Sequence, residues 1–288
     1  YKRQRYMTIG TAKPTEEDRQ QVPHHMIDVA DPDETFSAAR YAVEASGVVD
    51  SLLEKGGTVF VTGGTGLYIE ALLGGLIETP PADPELRRYY RDLADLYGTG
   101  HLYEMLQKND PASAAAIHHH DIVRIIRALE VLKHTGASAA GRRQKHAFSE
   151  KRYECLKIGI ILERRDLFQR INERADAMVH GGLVEETERL LGRGYDPSCP
   201  SLTAFSYRHI IEYLKGKLDK DEAVRRLKRD TRNYAKRQIT WFKRDRDIVW
   251  HETGEREAAV EKISRFLFRH SRSTRSTVND SSAHEKAD

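Results

Sequence analysis

Residues 58–76, TVFVTGGTGLYIEALLGGL, decide how the chain is read. A short apolar run, Val59-Phe60-Val61, breaks into Gly63-Gly64-Thr65-Gly66 and gives way to an amphipathic helical pattern. The run is too short for a membrane span and too β-prone for a helix end, so it is expected to be a buried strand. That strand would deliver a glycine-rich turn to a helix N-terminus. The terminus leaves backbone amides unpaired and carries partial positive charge, which suits it to an anion. Gly63 and Gly64 allow positive φ and close backbone approach, and Thr65 sets a hydroxyl beside the free amides. Taken alone, the stretch is explained equally well as a plain strand-to-helix turn.

Upstream, Met26-Ile27-Asp28-Val29 reads as another short strand, joined to 58–62 by a helix over about 37–55 with Ser37 as its N-cap. Gly56-Gly57 close that helix, and the spacing predicts a parallel βαβ unit. Downstream, Pro80-Pro81 and Asp83-Pro84 mark a boundary, and 85–134 is helical in pattern, with a helix starting at Asp110-Pro111. LKIGIIL at 156–162 returns to strand. Helices follow over about 165–180, 183–193 and 204–215, then a long basic one over 220–244, and Ile248-Val249-Trp250 reads as a last strand. Beyond His270 apolar periodicity stops. The expected organisation is a sheet core over 1–80 with its N-terminal part incomplete, a helical insertion over 81–140, a return of the core with a basic helical region over 141–270, and a disordered tail over 271–288. The fold class is α/β, a parallel sheet with a helical insertion.

Forty-seven Lys and Arg against 44 Asp and Glu leave a formal charge of only +3, so overall charge points to no partner. Its distribution does. Between Arg225 and Arg246 ten cations are opposed only by Asp230 and Asp245, a concentration that marks either a phosphate-binding surface or a solvated helix face. The two cysteines, Cys155 and Cys199, form no CxxC pair, which argues against a disulfide framework or a zinc finger and for a reducing compartment. No apolar run approaches the roughly 18 residues of a membrane helix. The opening YKRQRYMTIG has no signal-peptide pattern and reads as the middle of a longer chain. A soluble cytoplasmic protein is expected.

Seven segments occur in an order that resembles one family. They are IGTAKPT from Ile9, VPHHMIDVADPDETFSAARY from Val22, GGTGLY from Gly63, ADPELR from Ala82, DIVRIIRALEV from Asp121, RINERADAMVHGGLVEE from Arg170 and TRNYAKRQITWFK from Thr231. Together they resemble the tRNA dimethylallyltransferases over about residues 9–250. The resemblance implies a P-loop NTPase-like sheet. It also implies transfer of a dimethylallyl group from dimethylallyl diphosphate to the exocyclic N6 of the adenosine 3′ of the anticodon. Such a reaction needs cations, hydrogen-bond donors and Mg²⁺ to stabilise the departing diphosphate. It needs a base for the amine proton and a grip on an unstacked base.

The resemblance also implies roles for residues. Thr65 matches the threonine at the reaction centre, touching the diphosphate bridge oxygen and the tRNA, with Gly63, Gly64 and Gly66 supporting the loop. Arg208 in SYRHI matches a diphosphate-binding position, but Ser206 stands where the family has glycine, which puts a positive-φ turn there in doubt. Arg124 and Arg127 match a tRNA-contacting stretch in which Val123 replaces the usual Gln. Arg87 is the expected contact at the insertion's edge, and Arg232, Lys236 and Arg237 match a basic RNA-binding helix. His24-His25 matches a position with a structural role. His118-His119-His120 carries no metal expectation, because consecutive histidines seldom converge on one ion and no carboxylate spacing supports them.

The family's G-x-x-x-x-G-K-[ST] loop and its Asp-Ser general base are expected upstream of IGTAKPT, outside these 288 residues, together with the first strand. The Mg²⁺ ligands are expected there too, and the 288 residues alone are expected to be inactive or nearly so. Expected partners are tRNA and dimethylallyl diphosphate, with no membrane, and a monomer. The rival readings are an adenylate isopentenyltransferase acting on free AMP-type nucleotides, a small-molecule P-loop kinase, and a non-catalytic tRNA-binding remnant. The helical insertion and the basic helix favour a macromolecular acceptor over AMP, and GGTGLY followed by DIVRIIRALE is not a kinase pattern.

Overall fold

A computed structural model describes residues 2–76, 79–141 and 151–281, with side chains to residue 269. Helices dominate. Contacts divide the chain into one unit made of Tyr1–Gly66 with Glu154–Asp288, and a second made of Leu67–Tyr153.

In the first unit, α1 (Glu16–Gln21) and α2 (Ala38–Glu54) start on Thr15 and Ser37, whose hydroxyls accept from backbone amides of the first turn. Each such cap is worth about 1 kcal/mol. The helix α3 (Gly66–Gly74) begins at the last residue of this unit and continues into the other. The second unit holds α4 (Pro84–Tyr97), α5 (Thr99–Asn109), α6 (Pro111–Ala116) and α7 (Ile122–Thr135). Asp83, Asp110 and Asp121 cap three of them, and Pro84 and Pro111 occupy first-turn positions where no amide partner is needed. Leu102, Leu106, Ile125, Ile126 and Leu129 form that unit's core.

The chain then adds β1 (Ile158–Ile161), α8 (Arg164–His180), α9 (Leu183–Gly192), α10 (Phe205–Leu214), the 23-residue α11 (Lys220–Phe242), β2 (Val249–Glu252) and α12 (Arg256–Ser281) to the first unit. Strands β1 and β2 pair in parallel with Ile158 opposite Val249. Met7, Leu183, Leu190, Leu202, Tyr207, Ile210 and Leu227 pack into one core.

Three expectations need correcting. Neither 26–29 nor 58–62 is a strand. Met26 and Asp28 take positive φ, which breaks an extended run, and Phe60 and Val61 are 66% and 43% exposed. A strand exists by its ladder, and among the described residues nothing pairs with 58–62. The parallel α/β character therefore rests on β1 and β2. The tail expected to be disordered from 271 continues α12 to Ser281, since adding a residue to a formed helix costs far less than starting one. Residues 282–288 lie outside the described residues.

Candidate functional site

The glycine-rich turn is pinned to the basic helix. Gln238 Nε2 on α11 donates to the Gly64 carbonyl at 2.7 Å. A β-carbon on Gly64 would stand 1.9 Å from that same nitrogen, and one on Gly66 would stand 1.9 Å from Trp241 Nε1. Gly64 and Gly66 therefore serve close approach. Positive φ, the other use expected of Gly63 and Gly64, is not adopted at any glycine of this turn. Gly66 is buried under Trp241 while Thr65, one residue before the helix, is exposed. The turn thus leaves Thr65 exposed just before α3, between two glycines that pack on an amide and an indole of α11.

The IGTAKPT segment is fixed from a different side. Glu186 on α9, almost fully buried, accepts from the backbone N–H groups of Thr8, Ile9 and Gly10 at 2.8, 2.8 and 3.0 Å. The Tyr207 hydroxyl donates to the same carboxylate at 2.8 Å. Burial and the neighbouring Glu186 charge push the Tyr207 phenol far above its ordinary range, so it stays a donor. Ser206 sits inside α10 with ordinary helical backbone, so the positive-φ turn feared there is not required.

Arg208, on the same helix, is 46% exposed and donates to Asp230 on α11 at 2.8 Å. His209, nearly buried, shares that carboxylate at 2.9 Å and reaches Glu212 at 3.2 Å. The guanidinium is held at the surface with part of its donor fork free of Asp230.

In the second unit, Arg87 and Arg127 meet on Glu130, whose side chain is 0% exposed. Arg87 gives two hydrogen bonds of 2.9 and 2.8 Å, Arg127 a further one, and the Asp83 N–H another at 2.7 Å. Burial would raise the Glu130 carboxyl, but these donors win and hold it at about 2. Arg127 also binds Thr79 Oγ1 and the Pro80 carbonyl. Arg124 is different: 58% exposed, its side chain makes among the described residues only a surface pair to Asp121 at 3.2 Å.

A family model described as IPP transferase matches residues 4–245. The chain belongs to the IPP transferase family. It is 46% identical over 263 residues to tRNA dimethylallyltransferase 2 of Syntrophus aciditrophicus, covering 91% of this chain and 85% of that one. The corresponding protein of Geotalea uraniireducens is 46% identical over 256 residues, covering 89% and 83%. Among solved structures, the tRNA isopentenylpyrophosphate transferase of Bacillus halodurans superposes with a TM-score of 0.67 at 36% identity, covering 95% of this chain and 88% of that one. A eukaryotic dimethylallyltransferase acting on tRNA shares the fold, with a TM-score of 0.77 at 23% identity, covering 93% and 71%.

Of the residues singled out from sequence, the structure joins the Gly63–Gly66 turn to the helix bearing Arg232, Lys236 and Arg237, through Gln238 and Trp241. Neither linking residue was picked out in advance, although a TWF run after the basic stretch offered a bulky group for two glycines to receive. Glu130 and Glu186 were also missed. Their importance comes from burial, which nothing in RALEV or LVEE advertises. His24 lies exposed, its Nδ1 2.7 Å from the Val22 carbonyl. The ligand nitrogens of His118, His119 and His120 lie within 4.8 Å of one another on an exposed surface. Among the described residues no helix is long and apolar enough to cross a membrane.

Proposed function

We propose that this protein transfers a dimethylallyl group from dimethylallyl diphosphate to N6 of the adenosine 3′ of the anticodon in tRNA. The observation that carries the reading is the family match across 4–245. The turn bearing Thr65, bound directly to the basic helix, supports it. In this reading Thr65 donates to the bridging oxygen as the carbon–oxygen bond breaks, and Arg208 draws negative charge from the leaving diphosphate, exchanging part of its hold on Asp230 for it. Arg124, Arg232, Lys236 and Arg237 bind tRNA phosphates, which sets affinity rather than base choice. Arg87 and Arg127 shape the surface that carries Arg124 while holding Glu130.

Mg²⁺ enters the reading as the counter-ion of the diphosphate. The residues described here do not fit a resident site for it: their one group of three metal-type ligands is the His118–His120 nitrogens, whereas Mg²⁺ takes oxygen. A P-loop-like sheet, a cytoplasmic location and a monomeric state belong to the same proposal.

The test is incubation with labelled dimethylallyl diphosphate, unmodified tRNA and AMP in competition. Label at the adenosine 3′ of the anticodon, even in a single slow turnover, supports the reading. Label in AMP instead favours an adenylate isopentenyltransferase, and tight salt-dependent tRNA binding without diphosphate binding favours a non-catalytic remnant. Thr65→Val is expected to lower the single-turnover rate about 100-fold, as loss of one donor to a developing anion does.

A further inference from the structure

The long helix α11 carries its cations in two groups. In its first half Arg225 and Arg226 meet Glu222 at 2.5 and 2.7 Å, Lys228 meets Asp176 at 2.6 Å, and Arg229 meets Asp230 at 2.9 Å. In its second half the neighbours change. Arg232 donates to the Asn172 amide oxygen at 2.6 Å, and among the described residues neither it nor Lys236 has a carboxylate partner. Both instead face one aromatic ring. Arg232 Cζ lies 5.9 Å and Lys236 Nζ 5.6 Å from the centroid of Phe168 on α8. Arg164, one turn before Phe168 and likewise without a carboxylate partner among the described residues, brings its Cζ to 5.3 Å from the same centroid.

Three cations have therefore been gathered on one half-buried ring. They repel one another, and a ring quadrupole is too weak to neutralise three charges. What completes such a cluster is an anion. The site is preorganised on two packed helices, with Arg164 and Phe168 on one and Arg232 and Lys236 on the other, tied by the Arg232–Asn172 hydrogen bond. An aromatic face amid cations matches the way single-stranded RNA is held, by phosphate pairing and base stacking. A further cation without a carboxylate partner among the described residues, Arg237, lies 5.7 Å from the Tyr234 ring, and four such cations suit a polyanion better than a single small phosphate.

The geometry points to a nucleotide clamp for RNA made by Arg164, Phe168, Arg232 and Lys236. A backbone phosphate takes the cations, and an adjoining unpaired base takes the place they vacate on Phe168. In the absence of RNA, the ring keeps the cations in position. This inference rests on the tRNA reading above and deepens it, since Arg164 and Phe168 belong to the clamp as much as the basic helix does.

The experiment measures binding of an unmodified anticodon stem-loop RNA to the whole chain by fluorescence anisotropy over a range of NaCl concentrations. Arg164→Gln and Lys236→Gln are each expected to reduce the slope of log affinity against log salt by about 0.7–0.9. Phe168→Leu, which keeps the buried part of the side chain apolar, is expected to weaken binding about fivefold or more with the slope unchanged. Arg225→Gln, whose partner is Glu222, is expected to change neither, and thermal melts confirm that each variant is folded. Normal RNA binding by Phe168→Leu and Arg164→Gln overturns the clamp, and if the parent still prenylates tRNA the functional reading stands. Loss of affinity for dimethylallyl diphosphate or AMP with RNA affinity intact overturns it in favour of a small-anion site. A parent chain that binds no tRNA overturns both.

Discussion

Arg87 and Arg127 in the helical unit carry the same charge as Arg232 and Lys236 in the other unit, but their neighbours differ in kind. The first two close on Glu130, a carboxylate with no exposed surface. Taking a carboxylate out of water costs several kcal/mol unless charges and hydrogen bonds replace the water, and Glu130 has both. Those arginines answer a need created by the fold. Arg232 and Lys236 answer none of that kind: their partners are an amide oxygen and a phenyl ring, neither of which needs a cation. A motif position alone does not separate the two cases. The neighbour does, and it predicts where each substitution should register, in stability or in RNA affinity.

The strongest test of the comparison is Glu130→Gln. It leaves Arg87 and Arg127 facing a neutral group in a buried site, and a loss of about 3–5 kcal/mol in urea unfolding at pH 7 is expected. The pH dependence should change as well. The Glu130 carboxyl lies at about 2, below its ordinary 4.5, so its contribution is fully present above about pH 4.5 and is lost as pH falls towards 2. The parent should lose stability across that window, and the variant should lack that part of the acid limb. An unchanged urea midpoint would mean that the buried pair is dispensable and that Arg87 and Arg127 are free for another task.

Arg87→Gln should follow, costing about 1.5–3 kcal/mol because two charge-assisted hydrogen bonds are lost while Arg127 remains. Its effect on RNA affinity, measured at concentrations where the protein stays folded, should be small beside that of Lys236→Gln. Equal effects on affinity would erase the distinction between the two groups of cations.

Gly66→Ala acts on the carboxylate-free half of α11 from behind. The added methyl would fall 1.9 Å from Trp241 Nε1, so the indole or the turn must move. A cost of about 1–3 kcal/mol is expected, as for other overpacked sites. Because Trp241 follows Lys236 and Arg237 on one helix, weaker RNA binding should accompany the lost stability. Fluorescence of the indole reports the displacement directly. Full retention of stability and emission would show that the close approach at Gly66 is not a constraint.

Much of the helical framework was legible because it is written locally. Ser37 and Asp110 announce helix starts by side chains that accept from their own first turns, and Pro111 confirms the second; Asp83-Pro84 is legible only as a boundary, and Asp121 caps a helix that the pattern over 85–134 does not separate. The strand expected at 58–62 was not, because a strand depends on a partner elsewhere, and three apolar residues do not say whether one is present. The candidate site divides in the same way. Thr65 is singled out by the family resemblance, and the cations of α11 by their density between Arg225 and Arg246. The role of Glu130 could not be found in this way, since it arises from burial, and the convergence of three cations on Phe168 requires two helices to be placed side by side.

Arg237 offers the smallest effect and the finest cut. It lies exposed beside Tyr234, 5.7 Å from the ring centroid, with no carboxylate partner among the described residues. An exposed cation over tyrosine contributes only about 0.5–1 kcal/mol, so Arg237→Gln should shift the urea midpoint by little. If the carboxylate-free half of α11 is a surface for RNA, the same change should still lower the salt slope of RNA binding by about 0.7–0.9, one phosphate contact's worth. Stability and affinity are then uncoupled at this position, the reverse of the outcome at Arg87. A variant that loses more than about 1 kcal/mol of stability and keeps its salt slope would place Arg237 with the arginines that hold the fold. The line drawn between the two groups of cations would then have to be moved nearer to Lys236.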